Sequence, residues 1–450
     1  MKIAESINKH TVTEGRTKLI IWNVLFSFLI KGWSAIVTFL MVPLTINCLG
    51  TYKNGAWLTI SSILIWIDQM DIGLGNGLRN KLAIHVAHND WIQARKVVSS
   101  TMGMLSCIVL PILLIMLCLI WYTDIYSFLN IIPSAIPELR IALVCATALI
   151  CSTFVLKFIS NVYMGMQLPA ISNLLMALGQ TTALIATWIL YISDQASFFW
   201  IVVVNTAAPL LIYLLSYPCT FYWHFPQLRP SFKLINLRSA LELGNLGIKF
   251  FWLQIASIIQ FMTANILISK FFTPEMVTPY QITYRYLSIV IVAFSVVCMP
   301  FWNATTDAFE KGDMKWIKNA NRRMNLFTLT CGLVLLTMIL VSSWVYNIWI
   351  GDSCEVPYPM TVMMGFYIFL LILSMRYSYF LNGIGALRLQ LYMTVSAIVF
   401  IPMAWIVSNY THNIIWFMAV MCICNIPGLL VNIIQFNKII NRTAKGFWRK

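Results

Sequence analysis

Long apolar runs broken by short polar, proline or glycine clusters fill the chain from "LIIWNVLFSFLIKGWSAIVTFLMV" near one end to "IIWFMAVMCICNIPGLLVNIIQF" near the other. A helix needs about 20 mainly apolar residues to cross the hydrocarbon core of a bilayer. On that measure the pattern predicts twelve transmembrane helices, at approximately 19–46, 55–78, 98–122, 139–164, 169–192, 197–222, 243–269, 278–303, 324–350, 358–382, 387–408 and 413–436. The expected fold class is an all-α integral membrane protein. Residues 1–18 are polar and include Glu5 and Glu14. The run that follows is longer than a signal-peptide core and lacks a small-residue cleavage pattern, so it reads as a retained first span.

Composition agrees with this reading. Sixty per cent of the 450 residues are hydrophobic and 10% are charged, against about 25% charged in a soluble domain. Net charge is +15, and its distribution decides its meaning. With the N-terminus inside, 22 lysines and arginines fall in cytoplasmic segments and two, Lys53 and Lys270, fall outside. This asymmetry is the positive-inside bias of a polytopic protein with both termini cytoplasmic. It removes nucleic acid as the reason for the charge, and contact with anionic lipid becomes a secondary use of it. The longest outer segment, "TDIYSFLNIIPSAIPE", is too short to hold an active site, so the expectation is a protein that is not an enzyme. Most of the 11 cysteines lie inside apolar runs, where they act as small hydrophobes, and no metal-ligand spacing is present.

The chain repeats. Asn80, Asp90 and Arg95 fall on Asn303, Asp313 and Lys318 at one offset of 223 positions, and spans 1 and 7 each contain a lysine, Lys31 and Lys249. The expected organisation is residues 1–222 with spans 1–6, a basic cytoplasmic linker at 223–242, and residues 243–450 with spans 7–12 and a basic tail. Six spans per half make the repeats parallel, a common transporter design.

Six cations remain inside spans: Lys31, Arg140, Lys157, Lys249, Arg285 and Arg376. The span acids are Asp68 and Asp71. A mid-membrane charge costs about 2.5–3.5 kcal/mol on insertion scales and therefore faces protein or water. At 1.5 Å per residue, Lys31 lies about 18 Å in from the cytoplasmic end of span 1 and Asp68 about 15 Å in on span 2, level enough to pair. Arg140 and Arg285 fall near the outer face. Arg140, Lys157 and Arg376 are within reach of an aqueous boundary and read as snorkelling side chains. Lys31 is too deep for that and reads as lining a cavity.

The stretch "MDIGLGNGLRNKLA", Met70 to Ala83, closes span 2. Gly73, Gly75 and Gly77 alternate, which weakens a helix and admits close neighbours. They read as a conformational hinge, with Arg79 and Lys81 at the cytoplasmic mouth. The run is not a nucleotide loop, because no strand precedes it and the Walker pattern is absent. All five histidines lie outside the span centres, which argues against a histidine proton relay.

This stretch, at the end of the second of twelve spans, resembles the polysaccharide transport family. Its members are flippases for undecaprenyl-diphosphate-linked repeat units such as O-antigen units, within the multidrug/oligosaccharidyl-lipid/polysaccharide exporter superfamily. The likeness extends over the whole chain in length and loop pattern. It implies two six-helix lobes around a central cavity lined by spans 1, 2, 7 and 8, in the inner membrane of a bacterium. It implies alternating access, and substrate contacts at Lys31, Asp68, Asp71, Arg79, Lys249 and Arg285. It also implies a role in surface polysaccharide (lipopolysaccharide) biosynthesis beside a polymerase and a chain-length regulator. No cofactor is expected, although Asp68 and Asp71 offer sites for H⁺ or Na⁺ coupling. Three other functions compete: a cation-coupled drug exporter of the same superfamily, which calls for more intramembrane carboxylates than two; a glycan polymerase or ligase, which calls for a larger outer loop; and a scaffold using the basic tail.

Overall fold

The computed structural model describes residues 2–68, 74–236, 263–386, 388–393 and 395–448, and among them it is helical with no strand. The helices are α1 (Lys2–Asp68), α2 (Leu74–Ala87), α3 (Trp91–Tyr122), α4 (Ile125–Leu129), α5 (Leu139–Leu156), α6 (Phe158–Gly165), α7 (Pro169–Ile192) and α8 (Phe198–Pro218), followed by α9 (Pro274–Glu310), α10 (Met314–Leu340), α11 (Ser342–Trp349), α12 (Tyr358–Ile384), α13 (Arg388–Met393), α14 (Val395–Thr411) and α15 (Ile414–Ile440). Residues 263–271 are also helical.

Ten helical stretches are long and apolar enough to cross a membrane among the described residues. One of them, Leu29–Ile67, is 39 residues long, about 58 Å at 1.5 Å per residue, or twice the hydrocarbon thickness. Gly50 divides it, with φ 70° and ψ 170°, a conformation that only glycine adopts without strain. The first two spans are therefore joined by a one-residue break rather than the eight-residue loop expected between 46 and 55.

The chain forms two compact units. One comprises residues 1–49, 64–125 and 136–251. The other comprises residues 50–63, 126–135 and 252–450. In the first, α5 packs on α3 and α8, and α7 packs on α8. The α7–α8 approach is close at Gly179, where a Cβ would lie 3.1 Å from Pro209 Cα. Residues 229–236 are fastened along α3. Arg95 Nε donates to Arg229 O (2.7 Å), and the Ser99 and Ser100 hydroxyls accept from the backbone N–H groups of Ser231 and Asn236. In the second unit α12 is the hub, packed on α9, α10 and α15.

The internal repeat is visible in the turns. Asp90 N-caps α3 by accepting from Gln93 N (3.0 Å), and Asp313 N-caps α10 by accepting from Trp316 N (2.9 Å). Each follows a residue in the left-handed region, Asn89 at φ 56° and Gly312 at φ 72°. The backbone bonds Asp90 N to His85 O (2.9 Å) and Asp313 N to Ala308 O (2.8 Å) match as well. Left-handed residues recur along both halves in the pairs Asn89/Gly312, Asn130/Gly351, Gln167/Gly385 and Asp194/His412, spaced 223, 221, 218 and 218 positions apart. Such residues mark helix ends, so the two halves share their helix-end pattern as well as their loop charges.

Candidate functional site

On α1, residues at alternating spacings of four and three form one stripe: Lys31, Ala35, Thr38, Val42, Thr45 and Leu49. The first three are exposed and the last three buried. A separate stripe, Leu29, Trp33, Ile36 and Leu40, is exposed and apolar, and Trp33 Nε1 on it donates to Thr181 Oγ1 of α7 (3.0 Å). Two positions of helix turn about 200°, so Lys31 points away from the face that carries Trp33. No atom would lie within 4 Å of a Cβ at the neighbouring Gly32. The lysine thus occupies an open face distinct from the apolar one, and that face closes one turn beyond Thr38.

The second unit has a stripe of the same kind on α9, at Thr278, Ile282, Arg285, Ile289, Val292 and Val296. The first two are buried, Arg285 is half-buried and the last three are exposed. Because α9 begins at Pro274 rather than at 278, Arg285 lies about 16 Å along it. That is mid-depth, not the near-surface position expected from the sequence. Arg285 stands where the stripe passes from closed to open.

The closed part is held by polar bonds inside the second unit. Asn54 Nδ2 donates to Thr278 Oγ1 (3.2 Å), Thr278 Oγ1 donates to Thr51 O (2.8 Å), and Thr51 Oγ1 donates to the Glu275 carboxylate (3.0 Å). Asn265 Nδ2 donates to Ser62 Oγ (2.6 Å), and its Oδ1 accepts from Gln281 Nε2 (2.7 Å). Tyr52 Oη accepts from Ile132 N, Ser269 Oγ donates to Leu129 O, and Lys270 Nζ donates to Ser127 O. Gly55 permits the approach, since a Cβ there would fall 1.7 Å from Pro274 O. Sequence reasoning missed this cluster. Its signal was the set of amides and hydroxyls in otherwise apolar spans.

Arg79 is exposed on α2, and its carbonyl lies where α6 comes close, 3.2 Å from the position of a Cβ on Gly165. Gly75 and Gly77 lie within α2, which is helical from Leu74 through Ala87. Asp68 ends α1, and its side chain is not among those described. Asp71, Gly73 and Lys249 lie outside the described residues. Arg376 departs from expectation. It does not snorkel but is 5% exposed, because α12, which carries it, is enclosed by α9, α10 and α15. A depression of about 520 Å³ in the first unit, lined by Asn47, Tyr191, Asp194 and Trp200 among others, includes none of these cations.

No family model matches the chain, and no curated protein matches it. Solved structures do. An inward-facing multidrug resistance MATE family transporter of the MOP superfamily is 15% identical and covers 95% of this chain and 100% of its own, with a TM-score of 0.73. A point mutant of the Vibrio cholerae MATE transporter VcmN is 15% identical over 96% of this chain and 97% of its own, with a TM-score of 0.61. A MATE structure in complex with MaL6 is 15% identical over 92% of this chain and 97% of its own, with a TM-score of 0.57. At this identity the likeness speaks for architecture: the chain has the all-helical membrane fold of the MATE transporters.

Proposed function

We propose that the protein is a transporter that moves an anionic lipid-linked oligosaccharide, an undecaprenyl-diphosphate-linked repeat unit, from the cytoplasmic to the outer leaflet of a bacterial inner membrane by alternating access. The observation that carries this reading is the position of Lys31 on an open face of α1 away from the apolar stripe. A mid-span lysine that does not meet lipid meets water or an anion. Arg285 gives the second unit a half-buried cation where its own stripe passes from buried to exposed positions. Each stripe passes from exposed to buried positions along its own helix. A diphosphate headgroup is anionic, the glycan needs a wet path, and the polyprenyl tail can remain in the bilayer. Asp68 and Asp71 are the span acids that would hold H⁺ or Na⁺ if transport is coupled.

A second reading, a multidrug exporter, is favoured by the structural neighbours, which are described as MATE transporters and in one case as a multidrug resistance transporter. Charge separates the two. A cationic drug calls for interior carboxylates, whereas the described span interiors contain cations. Binding of a short-chain polyprenyl diphosphate and of the cationic dye ethidium to the purified protein, followed by tryptophan quenching, tests the choice. The glycan-lipid reading requires the diphosphate to bind and Lys31→Ala to weaken it about tenfold or more. Ethidium binding that Lys31→Ala strengthens or leaves alone, with no diphosphate binding, would establish the exporter instead.

A further inference from the structure

Arg376 is the one charged side chain that is buried among the described residues. It lies eight residues before the end of α12, about 12 Å in. Its Nη1 donates to Asn325 Oδ1 of α10, and its Nη2 donates to Tyr377 Oη, with the guanidinium carbon 4.3 Å from the centre of the Tyr377 ring. Its Nε has no hydrogen-bond partner. One turn before Asn325, the buried Asn321 Oδ1 also has none. Arginine remains charged under all ordinary conditions.

Among the described residues, no carboxylate pairs with this charge. The acids of the second unit are Glu275, Asp307, Glu310, Asp313, Asp352 and Glu355. Glu275 is in the first turn of α9 and Asp307 and Glu310 in its last, Asp313 caps α10, and the other two lie in the connection between α11 and α12. Among the described residues the guanidinium is held by the neutral oxygens of Asn325 and Tyr377. A cluster of amide and hydroxyl oxygens is what a hard cation such as Na⁺ binds. Here the chain supplies the cation itself, on a side chain. At roughly 6 Å and an effective dielectric of about 20, a second monovalent cation would be disfavoured about a hundredfold.

We infer that Arg376 is a specificity-determining residue whose guanidinium permanently fills a cation seat in the second unit and so keeps mobile monovalent cations out of it. The span acids of the first unit, Asp68 and Asp71, then remain the candidates for any coupling ion. This rests on the transport reading but not on the identity of the cargo.

The test uses purified full-length protein in a background of Asp68→Asn and Asp71→Asn, so that sodium held by the first unit does not contribute. Melting temperature is followed while Na⁺ replaces choline at constant ionic strength. The background protein and R376K should show no sodium dependence. R376E, and more weakly R376Q, should gain a sodium-specific stabilisation of several degrees between about 1 and 150 mM, as expected when an ion binds the native state alone. Folded R376E and R376Q that remain indifferent to sodium would overturn the inference. So would sodium dependence already present with Arg376 intact. R376M separates the oxygens already present from those a substitution adds: it should fold and gain a weaker sodium dependence of its own, a folded R376M indifferent to sodium would show that Asn325 and Tyr377 form no seat, and failure of R376E, R376Q and R376M alike to fold would make Arg376 purely structural. None of these measurements involves a diphosphate lipid, so their failure is distinct from failure of the proposed cargo.

Discussion

Gly55→Ala adds one methyl group where the structure has no room for it. The new Cβ would start 1.7 Å from Pro274 O, and contacts below 3.0 Å are essentially never observed. The Pro274 end of α9 and the segment after Gly50 must therefore separate by more than about 1 Å before the contact becomes ordinary packing. Overpacking of this kind costs about 1–3 kcal/mol. The separation also strains the bonds from Asn54 to Thr278 and from Thr278 to Thr51 O, and losing one of them costs about 1 kcal/mol net. A loss of about 2–4 kcal/mol weakens the closed arrangement roughly 30- to 1,000-fold, at tenfold per 1.4 kcal/mol. The reporter is Ser62→Cys, a near-isosteric change at a buried position, in an otherwise cysteine-free protein. Membrane-impermeant maleimide is applied from outside the cell, and labelling should rise sharply when Gly55→Ala is added. Gly32→Ala, where a Cβ meets nothing within 4 Å, is the control and should leave labelling unchanged. Equal labelling with and without Gly55→Ala, in protein of normal abundance, would refute the role of these bonds as a closure.

Gly383→Ala would place a Cβ 2.8 Å from Trp302 O and 2.9 Å from Thr305 Cβ, so it should destabilise the α9–α12 contact by about 1–3 kcal/mol, seen as a lower melting temperature; an unchanged value would contradict the packing. Asp90→Ala and Asp313→Ala remove equivalent helix caps and should each cost about 1 kcal/mol, with effects of similar size in thermal unfolding; a large effect of one and none of the other would argue against the shared turn. Burial pushes the Cys354 thiol up to about 11, with Glu275 and Glu355 adding to the rise. The thiolate is the reactive form, so maleimide should label Cys354 slowly at neutral pH and faster as pH climbs towards 11, and a flat profile would contradict its buried, acid-flanked setting.

The spans were legible because hydrocarbon enforces their length, and ten of the helical stretches are long and apolar enough to cross a membrane among the described residues. Asp90 and Asp313 announced the repeat, since a capping acid in the same turn leaves the same spacing. The linkage after span 1 was less legible. "NCLGTYKNG" is polar enough to read as a loop, yet the reversal needs only Gly50, so helix continues on both sides. Likewise the end of span 2 is not the end of a helix. Leu78 and Leu82 are buried while Arg79 and Asn80 are exposed, an amphipathic pattern that carries α2 beyond the apolar run. Depth arithmetic put Arg376 within reach of water, but it cannot tell which neighbours surround a helix face, and Asn325 is 51 positions away in the chain. The same limit concealed the bonds of Asn54 with Thr278 and of Asn265 with Ser62, whose partners lie more than 200 positions apart.

The most direct test of the central claim is a charge series at Lys31 in living cells. Delivery of the lipid-linked glycan to the outer leaflet is measured alongside protein abundance in the membrane. Lys31→Ala and Lys31→Glu should lose delivery at normal abundance, and Lys31→Arg should retain it, because a positive charge on the open face of α1 handles an anionic headgroup. Full delivery with Lys31→Ala would contradict that role and remove the observation on which the proposed cargo rests.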